Sequence, residues 1–360
     1  MTRQVRGMSI QIGGLAPRFT APTVSNPRFP SASFGGRYVL LAFIPTGHED
    51  GEAALGALGA HRRLLDDVRI SAFGVLRDEA RIGRARDQAG LRWFLDREGA
   101  VSRLFDAVGP DGEERPRWVL IDPFEAILAC QPIEAADAFF DLVRNLPDPE
   151  DHAGVPLTAP VLIAPRILEP ELCRRLVAYY DREGGEASGV MREIDGKTVG
   201  VVDDYKRRRD ATITDLALIE EVHRCLDRRL LPQIRKAFQF RVTRLERNIV
   251  ACYDAEDGGY FLPHRDDTTP GTAHRRFACT INLNTEDYEG GELRFPEFGT
   301  RTYRAPTGGG VVFSCSLLHE ATPVTRGRRY AYLPFLYDEA AAAIRLANAE
   351  SVAPGVAGPV

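Results

Sequence analysis

Three side chains late in the chain have the types and the spacing to bind one metal ion. His264 and Asp266 stand two positions apart in the segment YFLPHRDD, and His319 follows a long apolar run. Because side chains alternate between the two faces of an extended strand, His264 and Asp266 can point the same way and share an ion. Two imidazoles and one carboxylate make the facial ligand set that suits Fe(II) and leaves coordination positions open. The sequence therefore predicts a non-haem iron site.

The segments around His319 predict how it is positioned. Residues 311–318 are apolar and β-branched, follow three glycines and predict a strand that ends at His319. Residues 325–327 have the composition of a turn and residues 328–333 that of a strand, so we expect a hairpin. In such a hairpin Arg329 would lie roughly 13 Å from the metal ligands, at about 3.3 Å per residue. An arginine side chain and a short dicarboxylate together bridge that distance, and a guanidinium grips a carboxylate in a planar fork.

These residues resemble a known family, the Fe(II)/2-oxoglutarate oxygenases, and within it the prolyl 4-hydroxylase-like branch. The resemblance covers roughly residues 166–338 and is carried by Tyr253, His264, Asp266, the run from Gly290 to Phe295, Gly310, Phe313, His319, Pro323, Val324, Gly327 and Arg329. Members of the family place a basic anchor for the cosubstrate about ten residues after the distal histidine, which selects Arg329 over Arg328. The sequence departs from the family at Asn282, where relatives often carry a tyrosine that touches 2-oxoglutarate.

The resemblance implies cofactors, site residues and a reaction. Fe(II) would be held by the three ligands named above, with 2-oxoglutarate and O2 as cosubstrates and ascorbate as a further reductant. Arg329 would bind the distal carboxylate of 2-oxoglutarate, and Thr280 is a further candidate contact. Tyr253 is either a second hydrogen-bond donor to that carboxylate or an aromatic residue of the core. The implied reaction is hydroxylation of an unactivated C–H bond in a prolyl residue of a peptide or protein, in a free amino acid or in a small metabolite.

The N-terminal part of the chain alternates apolar strands with helical patterns. This alternation predicts a layered α/β domain with a mixed sheet. The first strand is a continuous apolar run, which is typical of a sheet covered on both faces. Strands are predicted at residues 38–44, 70–76, 91–95, 118–121 and 126–129, and helices at residues 52–67, 79–89, 101–107 and 135–145.

The order of these elements resembles the thioredoxin fold, and more closely its peroxiredoxin branch, over roughly residues 13–147. The matching residues are the run from Ala16 to Phe19, the strand exit from Phe43 to Pro45, Gly74 with Val75, and the hairpin from Val119 to Asp122. Peroxiredoxins need a nucleophilic thiolate in the first helical turn after that exit, and the loop of residues 45–52 contains no cysteine. We therefore expect this domain to have lost peroxidase activity. Cys130, the only cysteine in this half, is expected to be a core residue on a strand.

The C-terminal part predicts helices that flank many short strands. A helix is expected over residues 170–183, a hairpin around Asp195, and a second helix that is capped at Thr214-Asp215 and kinks at Pro232. Residues 206–209 are all basic and form either a solvated face or a lid or substrate contact. Many short strands with Gly and Pro turns imply a closed or double-sheet β core. The family resemblance adds that this core is a double-stranded β-helix, also called a jelly roll.

Four segments follow from these patterns. A chain of 360 residues is long enough for two domains with separate cores. The segment between them is rich in proline and acidic residues, which is typical of a linker. The predicted segments are a thioredoxin-like domain at residues 1–147, a linker at 148–165, an oxygenase domain at 166–338 and a tail at 339–360.

Composition argues against several classes of function. A net charge of −5 and the absence of a basic patch interleaved with aromatic residues give no indication of nucleic-acid binding. No stretch approaches a membrane span, and the six cysteines lack the density of a disulfide scaffold, so a cytoplasmic location is expected. The expected partners are a peptide, protein or small-molecule substrate, and a protein partner or a second copy of the chain on the N-terminal domain.

Three functions compete on this reading. The first is a non-haem iron hydroxylase with a non-catalytic redoxin-like domain. The second is a thiol-dependent peroxidase acting through the N-terminal domain, which the missing cysteine opposes. The third is a non-catalytic interaction scaffold with a vestigial β core, and the complete ligand set with its spaced Arg329 argues against that function.

Overall fold

Two units divide the part of the chain that the computed structural model describes, which is residues 10–353, with only the backbone described at His48. The first unit ends at Thr158 and also contains the short segment Pro296–Gly299. The second unit comprises Ala159–Phe295 and continues from Thr300. The change of unit after Thr158 falls inside the segment 148–165.

The first unit alternates strands and helices and builds a mixed sheet. Its elements are β1 (Thr20–Ala21), β2 (Phe29–Pro30), β3 (Tyr38–Phe43), α1 (His48–Ala60), β4 (Ile70–Leu76), α2 (Glu79–Ile82), β5 (Leu91–Leu95), α3 (Ala100–Leu104), β6 (Arg117–Ile121), β7 (Ile127–Pro132) and α4 (Ala136–Arg144). The strand order is β5-β4-β3-β6-β7, in which β3, β4 and β5 are parallel and β6 and β7 are antiparallel. This arrangement agrees with the predicted α/β class and with a thioredoxin-like order of elements.

The central strand β3 is buried along its whole length because both faces of the sheet are covered. Leu40 packs into one apolar cluster, and Leu41 packs into another on the opposite face. Trp118 on β6 is fully buried, and its indole N–H donates to the carbonyl of Ile133 at 2.8 Å. The continuous apolar run of β3 thus reflects a strand with no solvent-facing side.

Two predicted helices of this unit are shorter than the sequence suggested. The helix predicted at residues 79–89 ends at Ile82, because the Asp87 carboxylate accepts the backbone N–H groups of Ser25 and Trp93 and so requires a loop. The helix predicted at residues 52–67 is α1, which begins at His48 and ends at Ala60. After α1, the Asp66 side chain accepts hydrogen bonds from the backbone N–H groups of residues 68–70, where β4 begins. In a continued helix those N–H groups would bond to backbone carbonyls instead.

Asp67 forms a half-buried ion pair at the entrance to β4. Its carboxylate accepts two hydrogen bonds from Arg92, at 2.7 and 2.8 Å, and further bonds from Ser71 Oγ and the Gly90 N–H. Burial by itself would raise the pKa of Asp67, but the hydrogen bonds from Arg92 and Ser71 outweigh it and lower that pKa to about 2. A carboxyl group with a lowered pKa in the folded state stabilises the fold above its unfolded pKa, and this contribution is lost as the pH falls from about 4 to about 2.

We expect Asp67→Asn to lower the free energy of unfolding of the first unit by about 1–2 kcal/mol at neutral pH. Both tryptophans of the chain, Trp93 and Trp118, lie in this unit, so urea unfolding followed by tryptophan fluorescence measures it selectively. The difference from wild type should shrink below about pH 4 and vanish near pH 2. Glu113→Gln, which breaks the exposed pair with Arg115, is the control and should change nothing measurable. A pH-independent difference would contradict this account.

The second unit contains two larger antiparallel sheets, two separate antiparallel strand pairs and flanking helices. Its elements are β8 (Leu162–Ala164), α5 (Pro170–Glu183), β9 (Glu186–Ala187), β10 (Val190–Ile194), β11 (Lys197–Val201), β12 (Lys206–Arg207), β13 (Arg209–Thr212), α6 (Leu216–Arg229), α7 (Leu231–Phe238), β14 (Arg244–Glu246), β15 (Ile249–Asp254), β16 (Tyr260–His264), β17 (Phe277–Asn282), β18 (Glu289–Gly290), β19 (Leu293–Arg294), β20 (Thr302–Tyr303), β21 (Gly310–Ser314), β22 (His319–Ala321), β23 (Val324–Arg326), β24 (Arg328–Tyr332), β25 (Phe335–Tyr337) and α8 (Glu339–Ala347).

The larger of the two sheets, called the major sheet, runs β14-β25-β17-β24-β15-β13-β9, with β21 paired to β17 and β8. The smaller, called the minor sheet, runs β12-β16-β22-β19-β20. The outer face of the major sheet carries Val250 and Cys252, which pack against apolar residues of α5 and α6. Strand alternation therefore places Ala251 and Tyr253 on the opposite, inner face. Tyr253 packs there with Phe261 of the minor sheet, so the two sheets share an interior.

The predicted hairpin between His319 and Arg329 is wrong. His319 begins β22, which pairs with β16 and β19 in the minor sheet. Arg329 lies on β24, which pairs with β15 and β17 in the major sheet. Between them Val324–Arg326 pairs with another short strand, and Gly327 turns the chain at a φ of 73°. The chain thus crosses from one sheet to the other instead of folding back on itself.

The helices of the second unit follow the sequence signals with one exception. Helix α5 occupies residues 170–183 as predicted, and the Asp215 side chain caps α6 by accepting the N–H groups of its first turn. The single kinked helix predicted through Pro232 is instead two helices, separated at Leu230, with the proline in the first turn of α7. In the predicted tail, α8 extends over the first residues, and residues 354–360 lie outside the described part.

Among the described residues, none of the helices combines the length and the apolar character that a membrane crossing requires. All six cysteines are free thiols.

Candidate active site

The structure brings His264, Asp266 and His319 together on the minor sheet. One possible ligand atom of each residue lies within 4.8 Å of the others. His264 and His319 are direct partners across β16 and β22. Asp266 Oδ1 lies 3.7 Å from His264 Nε2, and Asp266 Oδ2 lies 3.3 Å from His319 Nε2. Three donor atoms that converge from a strand pair and the loop after it have the geometry of a single metal site.

The backbone fixes which nitrogen each imidazole presents to the ion. His264 Nδ1 donates to the carbonyl of Leu262 at 2.8 Å, and His319 Nδ1 donates to the carbonyl of Leu317 at 3.0 Å. In both cases the acceptor is the carbonyl two residues earlier in the chain, so Nε2 of each ring keeps its lone pair for a metal ion. A second hydrogen bond of this kind sets the tautomer and orients the ring of a metal-binding histidine.

Burial and the neighbouring charges put His264 and Asp266 in the protonation states that a cation needs. Burial, followed by the nearby His319, lowers the pKa of His264, so its ring is neutral at physiological pH. Burial by itself would raise the pKa of Asp266. The charge interaction and the hydrogen bond with His319, together with the charges of His264 and Arg275, outweigh burial and lower that pKa strongly. A neutral imidazole and an ionised carboxylate are the forms that bind a divalent metal.

Aromatic rings enclose the two histidines. Phe261 stacks on His264 with ring centroids 3.4 Å apart, and Phe313 meets His319 edge to face at 4.5 Å. The Asp266 loop is tied down by its backbone N–H, which donates to the carbonyl of Cys315 at 2.9 Å. These contacts hold the ligands rigidly and limit the access of water to them.

Arg329 lies on the inner face of the major sheet as a buried cation that forms no ion pair with any residue in the described part of the chain. Its side chain is 2% exposed, and Nε and Nη1 have no hydrogen-bond partner among the described residues. Its guanidinium lies 5.0 Å from the ring of Tyr253, its direct neighbour on β15. Gly291 gives it room: it has a φ of 66°, and a Cβ there would lie 2.9 Å from Arg329 Cδ. A buried guanidinium with unused N–H groups is suited to bind a carboxylate.

Tyr253 connects Arg329 to a second buried arginine, Arg208. Arg208 Nη1 donates to the Tyr253 hydroxyl at 3.4 Å, which leaves the hydroxyl proton free to be donated elsewhere. Unlike Arg329, Arg208 is neutralised, because it forms a two-point ion pair with Asp210 at 2.6 and 2.7 Å. The three side chains Arg329, Tyr253 and Arg208 thus form one row that runs from β24 across β15 to the residue just before β13.

Of the two alternatives for residues 206–209, the solvated face holds for only two of the four. Lys206 and Arg208 are 6% and 8% exposed, whereas Arg207 and Arg209 point to solvent. Lys206 Nζ donates to the carbonyl of Gly189 and lies 4.9 Å from the ring that stacks on His264. Sequence reasoning missed both residues because all four positions are basic, which hides the period of two that separates buried from exposed positions.

Thr280 and Asn282 share the inner face of the major sheet but lie apart from the row of Arg329. Asn282 pairs with Ala331, so Thr280 lies about 13 Å along the strand from the level of Arg329. The structure therefore does not bring Thr280 and Arg329 together. The Asn282 amide donates to the carbonyl of Ala305 at 2.8 Å, and its Oδ1 is buried without a partner among the described residues.

Cys130 is the cysteine of the first unit, and it lies on β7 as predicted but is half-buried rather than in the core. It packs beside an apolar cluster, and its Sγ lies 3.8 Å from Arg117 Nη1. The loop after β3 carries no thiol. The chemistry of a thiolate peroxidase needs a nucleophilic thiol at that position, and the first unit has none there.

Comparisons with known proteins relate the stretch that contains the site to one superfamily. Residues 249–337 match the model of the 2OG-Fe(II) oxygenase superfamily. A PKHD-type hydroxylase of Synechococcus sp. is 32% identical over 120 residues, which cover 28% of this chain and 53% of that protein. A PKHD-type hydroxylase of Cupriavidus metallidurans is 38% identical over 85 residues, covering 21% of this chain and 37% of the relative. The chain thus spans about half the length, or less, of these relatives, and it contains a 2OG-Fe(II) oxygenase domain homologous to PKHD-type hydroxylases.

Similar solved structures exist for each part of the chain. A prolyl-4-hydroxylase of Pseudomonas putida has a TM-score of 0.38 at 20% identity and covers 53% of this chain and 96% of its own. A 2-Cys peroxiredoxin of Plasmodium vivax has a TM-score of 0.30 at 18% identity and covers 37% of this chain and 98% of its own.

Proposed function

We propose that the chain is an Fe(II)- and 2-oxoglutarate-dependent dioxygenase that hydroxylates an unactivated C–H bond. The observation that carries the proposal is the pairing of two features in one interior. Three metal-binding atoms converge on the minor sheet, and a buried guanidinium with unused N–H groups lies on the major sheet. In the balanced reaction, substrate, 2-oxoglutarate and O2 give the hydroxylated substrate, succinate and CO2.

His264, Asp266 and His319 would hold the iron. When bound, Fe(II) supplies the oxidising chemistry together with 2-oxoglutarate and O2, and ascorbate would keep it reduced. The protein's part is to keep the two Nε2 lone pairs and one carboxylate aimed at a common point, which the Nδ1 bonds to backbone carbonyls achieve. Three protein ligands leave positions for the cosubstrates.

Arg329 would bind the distal carboxylate of 2-oxoglutarate and orient its keto-acid end toward the metal ligands. The charge of that carboxylate would neutralise a guanidinium that has no partner among the described residues. The two antiparallel sheets that carry these groups are best described as a double-stranded β-helix, or jelly roll, whose interior is the active site. In this arrangement the first unit is a non-catalytic, redoxin-like domain that docks a protein partner or a second copy of the chain.

Tyr253 would donate its hydroxyl proton to the same carboxylate. We expect Tyr253→Phe to raise the KM for 2-oxoglutarate by roughly 10- to 100-fold with little change in kcat, since a hydrogen bond to a charged group contributes about 1.5–3 kcal/mol. The control is Tyr260→Phe on β16, whose hydroxyl donates to the carbonyl of Asp204 and is exposed. An unchanged KM for Tyr253→Phe in steady-state succinate assays would instead make this tyrosine a core aromatic residue.

The substrate would be a prolyl residue of a peptide or protein, a free amino acid or a small metabolite, met in the cytoplasm. The relatives named above support the hydroxylase class. The test is incubation of the iron-loaded protein with 2-oxoglutarate and a cell extract, followed by mass spectrometry. The proposal expects succinate release together with a product that has gained one oxygen atom. If 2-oxoglutarate is not consumed in any extract, the non-catalytic scaffold is favoured instead.

A further inference from the structure

A second guanidinium without an ion-pair partner among the described residues, that of Arg247, lies in the second unit. Its Nε is buried without a partner, and no carboxylate within residues 10–353 forms an ion pair with it. Its Nη2 donates to the carbonyl of Leu333 at 3.3 Å. Arg247 stands between β14 and β15 at a φ of 73°, in the left-handed region that residues other than glycine seldom adopt. Strained positions of this kind persist where the surrounding structure enforces them, and they cluster at functional sites.

Arg247 lies one aromatic ring away from the metal-ligand loop. Its guanidinium lies 4.2 Å from the ring centroid of Phe335, and the guanidinium of Arg275 lies 3.9 Å from the same ring. Arg275 Nη1 in turn donates to the backbone carbonyl of Asp266 at 3.5 Å. The ring of Phe335 stabilises the face of each guanidinium but offers its N–H groups no acceptor.

The neighbouring cations are neutralised, and Arg247 is not. Arg275 pairs with Glu246 at 2.6 Å, and Arg208 pairs with Asp210 at 2.6 Å. Burial, then the charges of Arg275 and Arg208, lower the pKa of Arg247 to about 10, and the more weakly acting carboxylates of Asp210 and Glu246 oppose that shift. A cation that its surroundings disfavour in this way gains strongly from a bound anion.

Arg329 and the contact of Arg247 are separated along the direction of β24. Arg329 lies at one end of β24, and Leu333, whose carbonyl accepts the Arg247 bond, lies four residues further on, about 13 Å away in extended chain. Under the proposed function, on which this inference rests, Arg329 is used by 2-oxoglutarate. Arg247 is left for a second anion.

We propose that Arg247 binds a carboxylate of the substrate that is oxidised. The substrate is then a small molecule with a free carboxylate, either a free amino acid or a short carboxylic acid, and not a residue within a peptide. The guanidinium fork holds a carboxylate by two parallel hydrogen bonds. An internal peptide residue presents neutral amides, which satisfy N–H groups but leave the positive charge unpaired.

The test uses the full chain loaded with Fe(II), 2-oxoglutarate and a probe panel. The panel contains the proteinogenic free L-amino acids and short aliphatic mono- and dicarboxylic acids, each matched by its carboxamide. We expect some acids to stimulate succinate release above the basal rate and their carboxamides not to do so. Arg247→Gln should raise the KM for the stimulating acid by roughly 10- to 100-fold and leave the KM for 2-oxoglutarate unchanged. Arg247→Lys should recover part of the loss.

A binding measurement keeps this result independent of turnover. Calorimetric titration of the stimulating acid under nitrogen should show Kd weakened by a similar factor in Arg247→Gln. The inference is overturned if carboxamides or prolyl peptides stimulate as well as the acids, if no acid in the panel stimulates, or if Arg247→Gln leaves KM and Kd unchanged. Basal succinate release by wild type then still supports the proposed function. Absence of both basal and stimulated release overturns the proposed function itself.

Discussion

Replacing Asp266 by Asn is expected to abolish succinate formation and to weaken Fe(II) binding by more than about 100-fold. The reason is that losing a residue that merely orients a metal ligand already costs about 10- to 100-fold in metal affinity or activity. The exchange keeps the size of the side chain and removes the one carboxylate ligand that lies near both imidazoles. The measurements are anaerobic calorimetry of Fe(II) binding and succinate release over time.

The matched control is Asp267→Asn, the same chemical change one residue further on. The Asp267 carboxylate accepts a hydrogen bond from Ser316 and does not belong to the converging ligand group. This variant should bind Fe(II) like wild type and retain most of the turnover. If the two variants lost iron equally, or if Asp266→Asn kept normal affinity, the assignment of the ligand set would be wrong.

Replacing Arg329 by Gln is expected to raise the KM for 2-oxoglutarate by roughly 100-fold or more and to leave Fe(II) affinity intact. Removing one partner of a buried charge pair typically costs about 2–5 kcal/mol, because the other charge then stays buried and unpaired. Arg329 is 2% exposed, so little solvent screens the loss. Steady-state kinetics with varied 2-oxoglutarate, together with metal titration, separate the two quantities.

Arg328→Gln on the same strand controls for the loss of a positive charge. Arg328 is exposed and pairs with Asp254 at 2.6 Å. Its KM for 2-oxoglutarate should stay close to that of wild type, since screened surface pairs contribute little. A KM that rises equally in both variants would mean that general electrostatic attraction, and not the buried fork of Arg329, binds the cosubstrate.

The convergence of the three metal-binding side chains could be expected from the sequence because their geometry is largely local. His264 and Asp266 share a strand end, and His319 follows an apolar run that became β21 and the turn after it. The buried strands of the first unit could be predicted equally well, since a short continuous apolar run such as β3 is typical of a buried strand. Their neighbours in the sheet followed from the resemblance to a known order of elements.

The contacts that depend on pairing between distant strands could not be predicted from the sequence. The hairpin expected between His319 and Arg329 failed because the two strands join different sheets, and no local pattern encodes that choice. The burial of Lys206 and Arg208 was hidden in a run of four basic residues. Arg247 carried no signal either, because its importance lies in the lack of a charged partner, which only the folded arrangement reveals.

The most direct test of the account is an anaerobic titration of the Fe(II)-loaded chain with 2-oxoglutarate, followed by visible absorption. If His264, Asp266 and His319 hold one iron with open positions, a charge-transfer band between iron and the keto acid should grow to saturation at one equivalent. The band should be absent in Asp266→Asn. Iron that binds without producing the band in wild type, or a band that persists unchanged in Asp266→Asn, would contradict the proposed metal site.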